Sequence, residues 1–386
     1  MQPTDHQLLG EALRQFIAAE ITPHITEWER AQICPKHLFA RMGEMGFMGV
    51  TFPEEYGGSG LDFWAAITVS QELAYANCSG IALSLFAHTY LAPPLIYAVG
   101  TPAQREAYLI PALAGKKISC IALTEPNGGS DLGNIRTTAT LQGDHYVIKG
   151  AKTYITNGTI ADFALVACRT GEGYDMTLFL IDTNTPGFSA QPIHNKLGMH
   201  SSDTAELFFD DCIVPISAVL GKPHQGFYYI MNNFQEERLL GVISGMYVAE
   251  AAYQRALQYA IERVAFGKPI AQLQAIRHKL ASMATRVEAC KSFGLRATES
   301  FIADGAGAVG IISMAKAFVC ESIQTIIYDA LQIHGGNGYV EDYGIARMMR
   351  DMRLYTIGGG TTEIMYEIIA KIEIDKVEHK TAKIRG

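Results

Sequence analysis

The sequence predicts a mostly α-helical protein with a central β domain. An N-terminal helical domain is expected over residues 1–118, a small antiparallel β domain over 119–222 and a C-terminal four-helix bundle over 223–386. Three observations carry this expectation. Apolar residues recur at helical spacing near the N-terminus, the period shortens to that of strands between about 118 and 220, and long amphipathic stretches return beyond Gly226.

The first zone opens with Leu8, Leu9, Leu13, Phe16 and Ile17 at helical spacing, and further helices are expected over 61–76, 82–99 and 102–114. Phe52-Pro53-Glu54-Glu55-Tyr56-Gly57-Gly58 reads as a loop between them, because Pro and paired Gly punctuate helices. In the middle zone, 144–154, 163–168, 176–181 and 205–209 are short β-rich runs separated by Gly, Asn and Asp turns. Beyond that zone, helices are expected over 226–264, 270–304, 306–334 and 338–350, with a final helix over 362–374. Long amphipathic helices in this number bury their apolar faces against one another as a bundle.

Composition narrows the class. With 386 residues, 48% of them hydrophobic, the chain supports two or three domains with sizeable cores. A formal charge of −8 and the lack of a Lys/Arg block argue against nucleic acid or an anionic membrane as the main partner. The seven cysteines (Cys34, Cys78, Cys120, Cys168, Cys212, Cys290, Cys320) are scattered and never spaced C-x-x-C, as expected of a reduced, cytoplasmic protein without a metal site. Met1-Gln2-Pro3-Thr4-Asp5-His6 lacks the regions of a secretory signal. The longest apolar stretches are interrupted by His88, Pro93-Pro94 or Lys316, so a soluble chain is expected.

Several segments carry candidate chemistry. Ile357-Gly358-Gly359-Gly360-Thr361-Thr362-Glu363-Ile364 puts three glycines before the final helix. Glycine lets a backbone approach a ligand closely, and Thr361 or Thr362 can cap the helix so that its free N–H groups face an anion. Thr124-Glu125-Pro126-Asn127-Gly128-Gly129-Ser130-Asp131 is either a plain turn-rich loop or a cradle of amides and hydroxyls around a planar ligand. Lys152-Thr153-Tyr154-Ile155-Thr156-Asn157-Gly158 lies further along the same β zone. Glu262-Arg263-Val264-Ala265-Phe266-Gly267-Lys268 closes the first long helix, where Arg263 is either a charge favoured by the helix dipole or a fork of donors for phosphate.

On that helix Ile230, Phe234, Glu237, Gly241, Ser244 and Val248 fall on one stripe, which Glu237 interrupts. Burial there would raise its pKa towards roughly 6–7, a range suited to taking a carbon-bound proton. The plainer alternative is a solvated carboxylate paired with Arg238 or a nearby lysine. Glu236 points about 100° away around the helix.

These segments resemble the motifs of the acyl-CoA dehydrogenase flavoenzymes: T-E-P-x-x-G-S-D, K-x-[WY]-I-T-N-G and E-R-x-x-F-G-K, followed by Gln332-Ile333-His334-Gly335-Gly336-Asn337-Gly338 and the glycine loop. The order helices, β module, helical bundle is that of the family. Many members carry their catalytic glutamate where this chain has Gly359. Either the base sits elsewhere, or the chain does not perform the reaction. Glu237-Arg238-Leu239 matches the E-R-L of isovaleryl-CoA and long-chain acyl-CoA dehydrogenases, which keep the base on this helix.

The resemblance therefore implies α,β-dehydrogenation of a fatty acyl-CoA in β-oxidation, with FAD as cofactor and electron-transfer flavoprotein as acceptor. It places Glu237, Arg238 and the backbone of Gly359 at the chemistry, and Ser130, Arg238 and Gly358 at the substrate. Leu123, Thr124, Gly129, Ser130, Tyr154 and Thr156 would hold the flavin side of FAD. Arg263, Phe266, Gln274, Gln332, Gly335 and Gly336 would meet its pyrophosphate side from a neighbouring subunit of a homotetramer, or at least a dimer. Thr361 and Glu363 complete the cofactor set. The Ser201-Ser202-Asp203-Thr204 turn is a further expected CoA contact. Two alternatives stand beside this: a relative that uses O₂, such as an acyl-CoA oxidase or flavin monooxygenase, and a non-catalytic binding protein. The short tail with Lys376, Lys380, Lys383 and Arg385 argues against the second.

Overall fold

The computed structural model describes residues 4–173 and 175–376, so Lys380, Lys383 and Arg385 of the tail lie outside the described residues. Thr4 starts the first helix, α1 (Asp5–Phe16), by accepting from the Gln7 N–H while the Gln7 side chain accepts from the Thr4 N–H, a reciprocal capping box. Then come α2 (Ile25–Ala31), α3 (Lys36–Glu44) and α4 (Phe63–Tyr75), the last capped by Asp62. The helix expected over 82–99 is two helices, α5 (Ser79–Tyr90) and α6 (Ala92–Val99). Pro93 and Pro94 have no N–H to give to the preceding turn, so the ladder breaks at Leu91 and restarts with the prolines in a first turn, where they are tolerated. α7 (Pro102–Gln104) and α8 (Ile110–Leu113) are joined by a π-helical turn over Arg105–Leu109.

The middle zone is one eight-stranded sheet built from β1 (Ser119–Ala122), β2 (Thr138–Gln142), β3 (His145–Thr156), β4 (Phe163–Arg169), β5 (Met176–Asp182), β6 (Phe188–Pro192), β7 (Thr204–Pro215) and β8 (Val219–Leu220). Its order is β6-β7-β3-β2-β4-β5-β8, with β1 also paired to β4. The expected antiparallel pairing holds for β2–β3, β3–β7, β6–β7, β4–β5 and β5–β8, but β1–β4 and the single β2–β4 contact are parallel. No tight turn joins β1 to β4, so nothing local dictates their relative direction. β4 is buried on both faces. Phe163, Leu165 and Ala167 pack toward α6 and the π-helical turn with Leu95, Ile96 and Leu109, whereas Ala164, Val166 and Cys168 face the opposite core with Tyr146, Phe179 and Leu207.

The C-terminal zone is led by α9 (Gly226–Glu262), a helix of 37 residues. A small hairpin of β9 (Val264–Ala265) and β10 (Lys268–Pro269) turns the chain into α10 (Gln274–Asp304), which is followed by α11 (Val309–His334). The helix expected over 338–350 is shorter, α12 (Ile345–Met352), because Gly335 and Gly344 take left-handed φ of 58° and 72° and the intervening chain winds into 3₁₀ turns. α13 (Thr362–Glu373) ends the described fold. Two helical stretches, Ser79–Val99 and Gln274–Tyr339, hold windows as long and apolar as a membrane span, but 67% and 61% of those windows are buried inside the protein.

Candidate functional site

A cavity of about 150 Å³ lies where the N-terminal helices meet the bundle. Its walls come from α4 (Val69, Leu73), α5 (Leu83, Phe86, Tyr90), α9 and α11, and it is closed by Leu354, Tyr355 and the glycine loop. The lining is mostly apolar. α9 contributes Glu237, Arg238, Leu240, Gly241 and Ser244, positions that share one side of a helix. Glu237 is thus a carboxylate in the wall of a greasy chamber. Burial pushes its carboxyl above the ordinary value of 4.5, and this outweighs the opposing pull of Arg238 and Lys316. Glu236 lines a different opening, beside Phe52, Tyr97 and Phe301.

The glycine loop meets Glu237 at one point. A Cβ built on Gly359 would lie 3.5 Å from Glu237 Oε1, so a side chain at 359 and the side chain at 237 aim at the same space. Gly359 and Gly360 have φ of 63° and 97°, which L side chains rarely adopt. Two buried cations hold this strained backbone. Arg238 donates from Nε to the Gly359 carbonyl at 3.1 Å, with its guanidinium over the Phe234 ring at 5.4 Å. Lys316 donates from Nζ to the Gly358 carbonyl at 2.7 Å and also to that of Gly360. Burial pushes the Lys316 ammonium down to about 8; nearby Arg238 acts in the same direction, and Cys320 and Glu237 oppose it. Behind the loop, Tyr355 and Ser244 share a hydroxyl–hydroxyl bond of 2.8 Å. At the start of α13 the cap is Thr361, whose Oγ1 accepts from the Ile364 N–H at 3.3 Å; Thr362 instead donates to Glu321.

The two β-zone motifs are clamped together. Lys152, 0% exposed, donates to Glu125 Oε1 at 2.8 Å and to the Leu123 carbonyl at 3.0 Å. Glu125 also accepts from the Arg136 and Thr137 N–H groups; despite its burial, Lys152 and these donors keep it ionised below the usual range. The Thr153 N–H donates to the Thr124 carbonyl at 2.9 Å. In β3 a bulge between Lys152 and Ile155 breaks the alternation and gives Tyr154 a φ of 59°, leaving its ring 69% exposed. The same two motifs supply half-buried Thr124 and Thr156, buried Leu123, and exposed Gly129 and Ser130. Asn157 then donates to the Ser84 carbonyl on α5 at 2.9 Å, which ties this end of the sheet to a wall of the cavity. An aromatic face with neighbouring hydroxyls and backbone amides is a donor set that suits a planar heteroaromatic ring.

The remaining expected cofactor residues lie at another end of the molecule. Arg263, Phe266 and Gln274 are exposed on the β9–β10 hairpin and its flanks, as are Gln332 in the last turn of α11 and Gly335 and Gly336 just after it; Phe266 is 90% exposed. Along α9, Arg263 lies roughly 39 Å from Glu237 at the helical rise per residue. Glu363 is exposed in the first turn of α13.

Ser201, Ser202 and Asp203 are buried: Ser201 N–H donates to Glu29, Ser202 Oγ accepts from Ser84, and Asp203 accepts from the Thr159 N–H. These polar groups of Ser201, Ser202 and Asp203 are thus bonded inside the protein. Arg238 lines the cavity and also donates to the Gly359 carbonyl, so it touches both the chamber and the loop. Sequence reading missed Lys316, Tyr355 and Met199 in the cavity wall. The available signal for Lys316 was a lone lysine in the apolar run Val309-Gly310-Ile311-Ile312-Ser313-Met314-Ala315-Lys316-Ala317-Phe318.

Known proteins share this plan. Family models for acyl-CoA dehydrogenases match in chain order: the N-terminal domain over residues 3–116, the middle domain over 120–212 and the C-terminal domain over 224–373. The mitochondrial long-chain specific acyl-CoA dehydrogenase of Sus scrofa is 37% identical over 376 residues, covering 95% of this chain and 86% of that protein. The crystal structure of acyl-CoA dehydrogenase from Geobacillus kaustophilus is 38% identical with a TM-score of 0.91, covering 96% of this chain and 98% of that one. A glutaryl-CoA dehydrogenase from Mycobacterium smegmatis, determined in complex with FADH2, is 27% identical with a TM-score of 0.91 over 99% of this chain and 96% of that one.

Proposed function

The chain belongs to the acyl-CoA dehydrogenase family, and we propose that it converts a fatty acyl-CoA to the trans-2-enoyl-CoA with Glu237 as the base. The observation that carries this reading is the Glu237 carboxylate in an apolar cavity, its pKa raised, facing the space that a side chain on Gly359 would occupy. FAD, when bound, supplies the two-electron oxidant that accepts the β-hydrogen. Leu123, Thr124, Gly129, Ser130, Tyr154, Thr156, Thr361 and Glu363 would hold it, with Arg263, Phe266, Gln274, Gln332, Gly335 and Gly336 coming from a neighbouring subunit.

Glu237 Oε1 takes the α-proton. Desolvation by the surrounding apolar side chains keeps the carboxylate basic enough to do so. As the proton leaves, negative charge grows on the thioester oxygen and needs donors fixed in advance. The Gly359 N–H supplies one, so a glycine at this position keeps the donor. Gly358, beside it, adds no side chain to crowd the α-carbon, and exposed Ser130 would contact the substrate from the sheet. The apolar walls exclude water and seat the hydrocarbon chain.

Electrons then pass to electron-transfer flavoprotein. The separation between Arg263 and Glu237 along α9 supports a homo-oligomer, at least a dimer and by family pattern a tetramer, in which one chain's exposed Phe266 end serves another chain's flavin. Seven buried, unpaired cysteines support a reducing, cytoplasmic setting. Purified protein should be yellow and should bleach anaerobically on mixing with an acyl-CoA. An oxidised spectrum that persists across a series of straight, branched and aromatic acyl-CoAs would overturn the proposal, and rapid reoxidation in air after bleaching would move it to the oxidase class.

A further inference from the structure

We propose that Lys316 is a positioning residue for this reaction: with Arg238 it draws the carbonyls of Gly358, Gly359 and Gly360 toward the bundle and so orients the loop's N–H groups for the thioester oxygen. The inference rests on the dehydrogenase reading and adds a residue to it.

The argument is one of peptide geometry. Lys316 Nζ bonds the carbonyls of Gly358 and Gly360, and Arg238 Nε bonds that of Gly359 between them. No cis peptide is present among the described residues, and in a trans peptide the C=O and the following N–H point in opposite directions. Anchoring the Gly358 carbonyl therefore turns the Gly359 N–H away from Lys316, and anchoring the Gly359 carbonyl turns the Gly360 N–H away from Arg238. Neither N–H has an acceptor among the described residues. Side-chain atoms, and not a ladder of backbone bonds, decide which way these peptides face.

Lys316 is an expensive residue at this place in the fold. It is buried on α11 among Ile312, Ala315, Ala317, Val319 and Cys320, and desolvating an ammonium is unfavourable unless its donors are satisfied. Its hydrogen-bond acceptors here are neutral carbonyls. It lies 3.8 Å from the point where a Gly359 Cβ would sit, the same point that Glu237 Oε1 approaches at 3.5 Å, yet no ion pair joins the two among the described residues. One cation thus spans the loop from Gly358 to Gly360 and leaves the base unpaired.

The test uses the FAD-loaded full chain and two ligands that do not turn over on the oxidised enzyme: trans-2-octenoyl-CoA, which has the thioester carbonyl, and S-octyl-CoA, in which that carbonyl is replaced by CH₂. By calorimetric titration, Lys316→Met should bind the enoyl-CoA about tenfold or more weakly while S-octyl-CoA changes by less than about threefold. Lys316→Arg, which keeps the charge and the donors, should restore most of the enoyl-CoA affinity. Equal weakening of both ligands, or no weakening of either, would overturn the inference. If Lys316→Met does not fold, Lys316→Gln gives the same two-ligand comparison. Bleaching of the wild-type protein is recorded alongside: a wild type that is not bleached overturns the dehydrogenase reading itself, whereas a bleaching wild type with an unchanged ligand ratio in the variants overturns only the role of Lys316.

Discussion

The α9 stripe around Glu237 and the loop Gly358–Gly360 converge on one point from opposite kinds of structure. The stripe belongs to a helix of 37 residues whose backbone satisfies its own hydrogen bonds, so its side chains are held by regular geometry. The loop has left-handed φ at Gly359 and Gly360; its Gly358 N–H donates to the Leu354 carbonyl, and its three carbonyls accept from Lys316 and Arg238. A regular element presents the charged side chain, while an irregular one held by side chains presents backbone. The division suits the chemistry proposed: a base needs a fixed carboxylate, and a close approach to a thioester needs a segment without side chains.

The largest effect should come from the helix. Glu237→Gln should retain FAD but slow anaerobic bleaching by about 10²–10⁴-fold; an unchanged rate would move the base off α9. The exchange Glu237→Gly with Gly359→Glu tests the shared point directly. Because the 359 Cβ direction aims at the Glu237 carboxylate, the double variant should recover at least about tenfold over Glu237→Gly alone, and no recovery would break the equivalence of the two positions.

Gly359→Ala adds a side chain at φ 63° and should cost about 1–2 kcal/mol of local strain, seen as a lower Tm and slower bleaching while FAD stays bound. A loop that tolerates alanine without either change would not be the constrained element described here.

The pH profile sharpens the comparison further. Glu237 acts only when ionised and its folded pKa is raised, so bleaching should be fast above that pKa and fall as pH drops through it, on an acid limb above 4.5. Lys316 holds the loop as a cation, and its pKa is pushed down to about 8, so a second loss should appear as pH rises through that value. Glu237, Arg238 and Cys320 are the groups acting on it. A single limb shared by both regions would show that they do not titrate separately. The smallest effect is expected at Ser244→Ala, which removes the partner of the Tyr355 hydroxyl and should cost about 0.5–1.5 kcal/mol by thermal unfolding.

Much of the plan was legible from local pattern. Helical spacing anticipated α1 and α4, and the Gly/Asn/Asp punctuation anticipated the strands, because these signals depend on residues a few positions apart. Even the failures are local in origin: Pro93-Pro94 split a helix that periodicity alone ran together, and Gly335 and Gly344 shortened another. The spacing on α9 also placed Glu237, Gly241 and Ser244 on one side, and all three line the cavity. Lys316 was passed over because its partners, Gly358 and Gly360, are 42 and 44 positions away. The Lys152–Glu125 clamp was missed for the same reason: its two members belong to separate motifs.

The sequence by itself determined the order of helices, sheet and helices, the family, and the motifs in which the cofactor contacts are proposed. Each of these follows from periodicity or from contiguous residues, which survive without knowledge of packing. Only the tertiary structure decided what meets at the cavity. A carboxylate on α9, an ammonium on α11 and a glycine backbone before α13 acquire their pKa shifts and their orientation from one another and from the low-dielectric walls around them. Those are properties of distance and burial, and neither exists until the chain has folded.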